Sequence, residues 1–373
     1  MGHSLICLHL ECNNCIGAAL LIRVQRKIEV MAASNLDLPD HASLELEDAE
    51  ASLACVMTFN ASDPSGTGGL TADITSISSV GGHTLAVVTG AYVRDTVEIF
   101  DHFAFDAEAV TEQARAALED ISVDAIKVGF VGSPENINAI AEIASDYPDV
   151  PLIAYMPNLS WWHEADIDNY LDAFRELLLP QTTVLVGNYS SLRRWLLADW
   201  PGEKNPTAKD IAKAAAEFGV PYVLVTGIAL PDQFIDNVLA TPLAVLHSAR
   251  FERFEAIFSG AGETLSAALT ALLANGHDLP EATAEALGFL DQSLNAGFKP
   301  GMGLVVPDRM FWAQADSVDD SEQVDDATPS PEIDAIAADA PSLEDKFAAR
   351  AKALLLNPIK PFFDLPPNGT TKH

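Results

Sequence analysis

Between about residues 53 and 313, short apolar runs rich in β-branched and aromatic residues alternate with longer stretches of helical period, and this constrains the fold more than any other feature. The runs are Leu53–Phe59, Leu85–Thr89, Ala125–Phe130, Leu152–Tyr155, Val184–Val186 and Tyr222–Thr226. The helical stretches are Leu70–Val80, Ala107–Glu119, Glu135–Ser145, Ile167–Leu178 and Asp210–Phe218, and two long helices, Gly262–Ala274 and Pro280–Ala296, close the block. A strand without polar alternation is buried on both faces, and strands separated by helices pair in parallel. The expectation is an α/β fold in which a mostly parallel central sheet is the middle of three layers. In such sheets ligands bind beyond the carboxyl ends of the strands, so the loops leaving those ends are where chemistry is sought.

Composition narrows the partners. There are 21 Lys and Arg against 54 Asp and Glu, a net charge of −33, which repels phosphate backbones and anionic headgroups. Binding to nucleic acid or to a membrane surface is therefore not expected. No stretch approaches the roughly 18–20 apolar residues of a membrane span, and a cytoplasmic protein is expected. Four cysteines are too few for a disulfide scaffold. Cys7, Cys12 and Cys15 lie near His3 and His9, but the second pair of ligands that a structural zinc site requires does not follow.

The ends read differently from the middle. Residues 1–50 carry no sustained period and are expected to form a flexible extension, with Met31 as an alternative start. Ala315–Asp345 holds eleven Asp and Glu and no Lys or Arg, so residues 314–373 are expected to be an acidic, largely disordered tail. One domain, 51–313, remains.

Two loops in that domain suit an anion. Asn60–Gly69 contains Gly66, Gly68 and Gly69 between a strand and a helix, where backbone N–H groups are free. It lacks the Gly-Lys-Ser/Thr ending of a Walker A loop and the glycine spacing of a dinucleotide fingerprint. Phe258–Ser266 carries Gly260-Ala261-Gly262 into an alanine-rich helix, with Glu263 in the first turn. A carboxylate there is favoured by the helix dipole and is placed to take a proton from a hydroxyl. Taken singly, each loop also fits a simple capped turn.

Together and in order, these segments resemble a known family. Ser62-Asp63-Pro64-Ser65-Gly66 with Ala72-Asp73 resembles the opening signature of the hydroxymethylpyrimidine/phosphomethylpyrimidine kinases, members of the ribokinase-like superfamily related to pyridoxal kinases. The likeness continues through Val87–Thr96, Asp124–Gly129 with Gly132-Ser133, Leu178-Leu179-Pro180, Val223–Val225 with Gly227, Gly260–Gly262 with Thr264–Ala268, and Lys299–Gly303. The resemblance implies a ribokinase-like α/β/α sandwich, ATP and Mg2+ as cofactors, and a small-molecule pyrimidine as acceptor in thiamin synthesis. Pyridoxal kinase-like activity, or a kinase-fold protein that binds a pyrimidine without efficient transfer, are the alternatives. It also implies a homodimer. By the same resemblance, Glu263 with Gly260, Ala261 and Gly262 are catalytic. Ser62, Asp63, Gly66 and Arg94 line the acceptor pocket, and Asn188, Thr226 and Gly227 hold the nucleotide. The metal ligands are not assigned.

The chain departs from the family where chemistry is done. Glu263 stands at the catalytic Cys position, and Arg94 at that of a substrate-selecting Gln. Arg94 suits a phosphate or carboxylate, or else a salt bridge to Asp95 or Glu98. Ala154 lies in a segment whose acid is lost, Ser191 replaces a Glu associated with Mg2+, and Thr226 replaces a Lys. Trp161 and Trp162 follow the altered segment and are expected to be packed rings more than ligand-stacking ones.

Overall fold

The structure, a computed structural model, describes residues 53–313. The expected extensions 1–50 and 314–373, with the cysteine–histidine cluster, lie outside the described residues.

All six apolar runs are strands of one sheet. β1 (Cys55–Ser62), β2 (His83–Arg94), β4 (Ala125–Val128), β5 (Leu152–Met156), β6 (Val184–Asn188) and β7 (Tyr222–Ala229) run parallel, in the order β2-β1-β4-β5-β6-β7. Three antiparallel strands extend the edges: β3 (Ile99–Ala104) beside β2, and β8 (Phe234–Ala240) then β9 (Val245–Glu252) beyond β7. These three have no continuous apolar run. β3 and much of β9 are exposed on one face, and Asp236 and Asn237 interrupt β8.

Side chains alternate across the inner strands and thereby build two cores. Ala154, Leu185, Val223 and Val225 face a core closed by helices α2 (Ala107–Leu118), α3 (Pro134–Ser145), α4 (Glu164–Ala173) and α6 (Ala208–Ala216). Ile153, Val184, Val186 and Leu224 face the opposite core, closed by α7 (Ala261–Ala274) and α8 (Leu279–Asn295). On that side α1 (Gly69–Ser79) adds Ile77 against Val56, Ala267 and Ala271. The layers are α/β/α, as the alternation implies.

Local chemistry sets the helix boundaries. Asp106, Asp278 and the Thr207/Asp210 capping box close the N-termini of α2, α8 and α6 with side-chain hydrogen bonds. α4 ends earlier than its period implies. It widens over Phe174–Leu178 and tightens over Leu179–Gln181, because Pro180 offers no N–H to a regular turn. A short helix, α5 (Tyr189–Leu196), follows β6 and has no run long enough to announce itself. α1, α4 and α7 have no side-chain cap from the N-cap residue, and in α1 and α7 that residue is a glycine, Gly68 and Gly260. Both lie beyond the carboxyl ends of strands, near the point between β1 and β4 where the strand order reverses.

Candidate active site

The first glycine loop is organised around Asp63. One carboxylate oxygen accepts the Ser65 N–H at 2.8 Å and the Ser65 hydroxyl at 2.6 Å. The other accepts the Thr67 hydroxyl at 2.9 Å, the Gly68 N–H at 2.8 Å and an Arg94 Nη1–H at 3.2 Å. So many donors leave Asp63 to shape the loop, and Ser62, at the end of β1, is the exposed polar side chain beside it. Gly66 takes a φ of 71°, open to it because it lacks a Cβ.

Arg94 pairs with neither Asp95 nor Glu98, the local partners weighed above. Its salt bridge is to Asp63, and its other donors reach the Ser259 hydroxyl at 3.1 Å and the Asp95 carbonyl at 3.1 Å. The guanidinium thus ties the first loop to the second. Asp95 instead accepts the Val97 and Glu98 N–H groups in the β2–β3 turn, and those bonds hold its carboxyl below the usual range.

The second loop meets the first backbone to backbone. Gly260 has a φ of 84°, and a Cβ there would overlap the Thr67 carbonyl oxygen. Any other residue would push the loops apart. Beyond it, Gly262 lies against the Tyr155 ring, and the Glu263 carboxylate reaches across to lie against Gly68, with the Gly69 N–H favouring its ionised form. One carboxyl group therefore sits at the N-termini of both α1 and α7.

Beneath Glu263 lies a buried ion pair, Lys127 of β4 with Asp73 of α1, both side chains fully shielded, at 2.5 Å. Asp73 also accepts the Thr58 hydroxyl at 2.6 Å and an Asn60 side-chain N–H at 3.0 Å. Burial pushes the Glu263 carboxyl above its ordinary pKa, and Asp73 adds to the rise; Lys127, the Gly69 N–H and Arg309 oppose it without cancelling it. Burial likewise holds the Tyr155 phenol protonated well past its ordinary value, with Glu263 and Asp73 contributing.

The residues expected at the nucleotide end also come together. Asn188 and Thr226 pair across β6 and β7. The Asn188 side-chain Oδ1 accepts the Ser190 N–H at 2.9 Å and hydroxyl at 2.8 Å, so it caps α5, while the side-chain nitrogen approaches Gly227. Gly227, at a φ of 68°, donates its N–H to Asn237 at 3.1 Å, and the Asn237 side-chain nitrogen is buried without a partner. Ala154 is buried and Ser191 is half-buried; neither offers a charge. Trp161 and Trp162 stack at 5.9 Å within a cluster that includes Tyr92, His102, Phe130 and Tyr170. They are packing residues, as expected.

Sequence reasoning did not reach Arg309 or Tyr155 as parts of this arrangement. Arg309 follows a segment with no period, and Tyr155 sits inside an ordinary core strand.

Comparison with known proteins bears on the family and on the fold. A family model described as phosphomethylpyrimidine kinase matches residues 63–308. The hydroxymethylpyrimidine/phosphomethylpyrimidine kinase of Streptomyces coelicolor is 28% identical over 254 residues, 67% of this chain and 91% of that one. The protein of the same name from Mycobacterium leprae is 25% identical over 258 residues, covering 66% and 91%. Among solved structures, an ADP complex of Bacillus subtilis pyridoxal kinase superposes with a TM-score of 0.62 at 22% identity, covering 71% of this chain and 100% of that one. A phosphomethylpyrimidine kinase from Clostridium difficile gives 0.53 at 23%, covering 65% and 99%. At such identities the structures speak for the fold alone.

Proposed function

The chain belongs to the phosphomethylpyrimidine kinase family, and from that premise we propose that it transfers the γ-phosphoryl group of ATP to hydroxymethylpyrimidine, its monophosphate, or both, in thiamin synthesis, with Glu263 as the base. The observation that carries this reading is the Glu263 carboxyl at the meeting point of the N-termini of α1 and α7, both entered from glycines. The two helix dipoles suit an anionic transferring group there. A carboxyl whose pKa is raised is also a stronger base near neutral pH.

The residues present fit a nucleotide. Asn188, Thr226 and Gly227 form a neutral platform at the ends of β6 and β7, beside the Asn237 side-chain nitrogen, which is buried without a partner. They fit Mg2+ less well. Asp63 and Asp73 are committed to neighbouring donors, and positions 154 and 191 carry no acid. A Mg2+ ion arriving with ATP would be held by phosphate oxygens and water, and no step is assigned to protein–metal contacts. In the transfer, the acceptor hydroxymethyl oxygen forms the new bond to the γ-phosphorus as the bond to the ADP oxygen breaks. The hydroxyl proton passes to Glu263 and then to solvent. Positioning and charge supply most of the catalysis in such a reaction.

The test is ADP release from Mg-ATP with hydroxymethylpyrimidine, its monophosphate and pyridoxal as separate acceptors. Turnover with a pyrimidine that Glu263→Gln removes supports the reading. Turnover with pyridoxal alone would select the sister activity. Ligand binding without turnover would mark a binding protein, a reading favoured by one observation: positions 154 and 191 carry no acid.

The proposed catalytic unit is 51–313. A homodimer is supported by the outer edge of β3, which pairs with no further strand among the described residues and exposes Phe100 and Phe103, and light scattering checks it. No helix among the described residues is long and apolar enough to cross a membrane; a cytoplasmic location is proposed from the kinase reading.

A further inference from the structure

Arg309 enters the site from the far end of the domain. After Val305 and Val306 bridge to Phe258 and Phe298, the chain meets the last turns of α8, where Asp308 donates its N–H to the Ser293 carbonyl at 2.9 Å. Ser79, at the end of α1, donates its hydroxyl to the Arg309 carbonyl at 2.7 Å and so fixes the backbone. The side chain, in a residue only 6% exposed, then threads between the two glycine loops. Nε–H donates to the Thr264 hydroxyl at 2.9 Å, Nη2–H to the Thr67 carbonyl at 2.7 Å and Nη1–H to the Gly66 carbonyl at 3.4 Å. These acceptors are neutral, and they belong to both loops. A Cβ at Gly260 would stand 2.6 Å from Nη2, so the loop contact and the guanidinium share one tight space.

We propose that Arg309 is a positioning residue for phosphoryl transfer: its planar fork holds the Gly66–Thr67 turn and the first turn of α7 at fixed separation, and its charge faces Glu263 from within the protein. This rests on the kinase reading above. A guanidinium suits the task because its donors are rigidly arranged, whereas an ammonium would supply charge without the fork. The charge has work to do. Glu263 is faced by Lys127 from β4, Asp73 and the Gly69 N–H from α1, Tyr155 from β5 and Tyr92 from β2. Of these, Lys127 is already bound to Asp73. Arg309 is thus the second cation favouring an ionised Glu263, and Asp63, Asp73, Asp308 and Glu263 in turn favour its own protonated form against burial. Transfer loses about 10²-fold for a shift of roughly 1 Å in the reacting groups. A residue that fixes loop separation therefore acts on kcat more than on KM.

The experiment compares wild type, Arg309→Met and Arg309→Lys by two readouts, with Glu263→Gln as reference. In turnover, Arg309→Met should lower kcat by about 10- to 100-fold with little change in KM, and should move the acid limb of the pH profile upward. Arg309→Lys should keep the acid limb and still lose kcat, because charge survives and the fork does not. Independently of turnover, a carbon-13 titration of the Glu263 carboxyl, assigned by its loss in Glu263→Gln, should move upward in Arg309→Met and stay in Arg309→Lys. A folded Arg309→Met protein with wild-type kcat and wild-type titration overturns the proposal. A wild-type chain that turns over no acceptor refutes the kinase reading, and the titration still decides whether Arg309 acts on Glu263. Should Arg309→Met not fold, Thr264→Val removes the Nε acceptor together with the hydroxyl's own bond to the Gly260 carbonyl, with Thr264→Ser, which keeps both, as its control. Thr264→Val should then lower kcat while leaving the titration in place, and an unchanged kcat overturns the clamp.

Discussion

The two ends of the site are built from opposite materials. Around the first glycine loop and α7, charge is dense and internally satisfied: Arg94 on Asp63, Lys127 on Asp73, and Glu263 faced by Lys127 and Arg309. Around the ends of β6 and β7, Asn188, Ser191, Thr226, Gly227 and Asn237 carry no charge at all. Paired buried charges fix geometry because breaking one strands its partner. Neutral groups and free backbone follow shape and tolerate change. The acceptor end is therefore expected to be rigid and sensitive to single substitutions, and the nucleotide end forgiving.

The comparison breaks first, if it breaks, at Glu263. Glu263→Gln should lower kcat by about 10²–10⁴-fold, the range for removing a general base, as read by ADP release. A loss below about tenfold would remove Glu263 from the chemistry. Next comes Lys127→Met, which leaves Asp73 shielded and without its cation. Denaturant unfolding should show a loss of about 3–5 kcal/mol, and the double variant with Asp73→Asn should recover part of it.

Smaller effects sharpen the contrast. Arg94→Gln releases both Asp63 and Ser259, and acceptor KM should rise about tenfold, as for a lost charged hydrogen bond. A larger rise for the monophosphate than for the free alcohol would show that Arg94 reads an anion as well as bracing the loops. At the other end, Thr226→Lys puts a cation where none stands. ATP affinity by calorimetry should tighten by only about two- to fivefold, through added charge attraction. A gain far above that range would contradict the forgiving character of that end.

The smallest expected effect is on stability against pH. The folded Glu263 carboxyl is protonated more readily than the unfolded one, so between the two values the native state binds more protons. Its contribution to stability then falls as pH rises through that window. Glu263→Gln should flatten this slope. The melting temperature of the variant relative to wild type should be higher at pH 8 than at pH 5, and an equal difference at both would contradict the raised pKa.

What the residues alone made legible was the part governed by burial. Val184-Leu185-Val186 and Val223-Leu224-Val225 are strands buried on both faces, and only uninterrupted apolar sequence can fill such places, so the parallel core declares itself. The edge strands β3 and β9 leave side chains to solvent, and β8 carries Asp236 and Asn237 in its middle, so none of the three shows an uninterrupted apolar run and all passed unseen. The glycine loops were legible for a related reason. Gly260 must approach Thr67 more closely than any Cβ permits, and such a demand leaves its mark on composition.

The pairings across the site were decided otherwise. Arg94 reaches Asp63, 31 positions away, in preference to the acids beside it, and Arg309 reaches Thr67 across 242 positions. A hydrogen bond between distant segments has no period and asks only for a donor and an acceptor that packing brings together. Folding the sheet places β1, β2, β4, α1, α7 and the 305–309 segment around one point, and that convergence selects which charges meet.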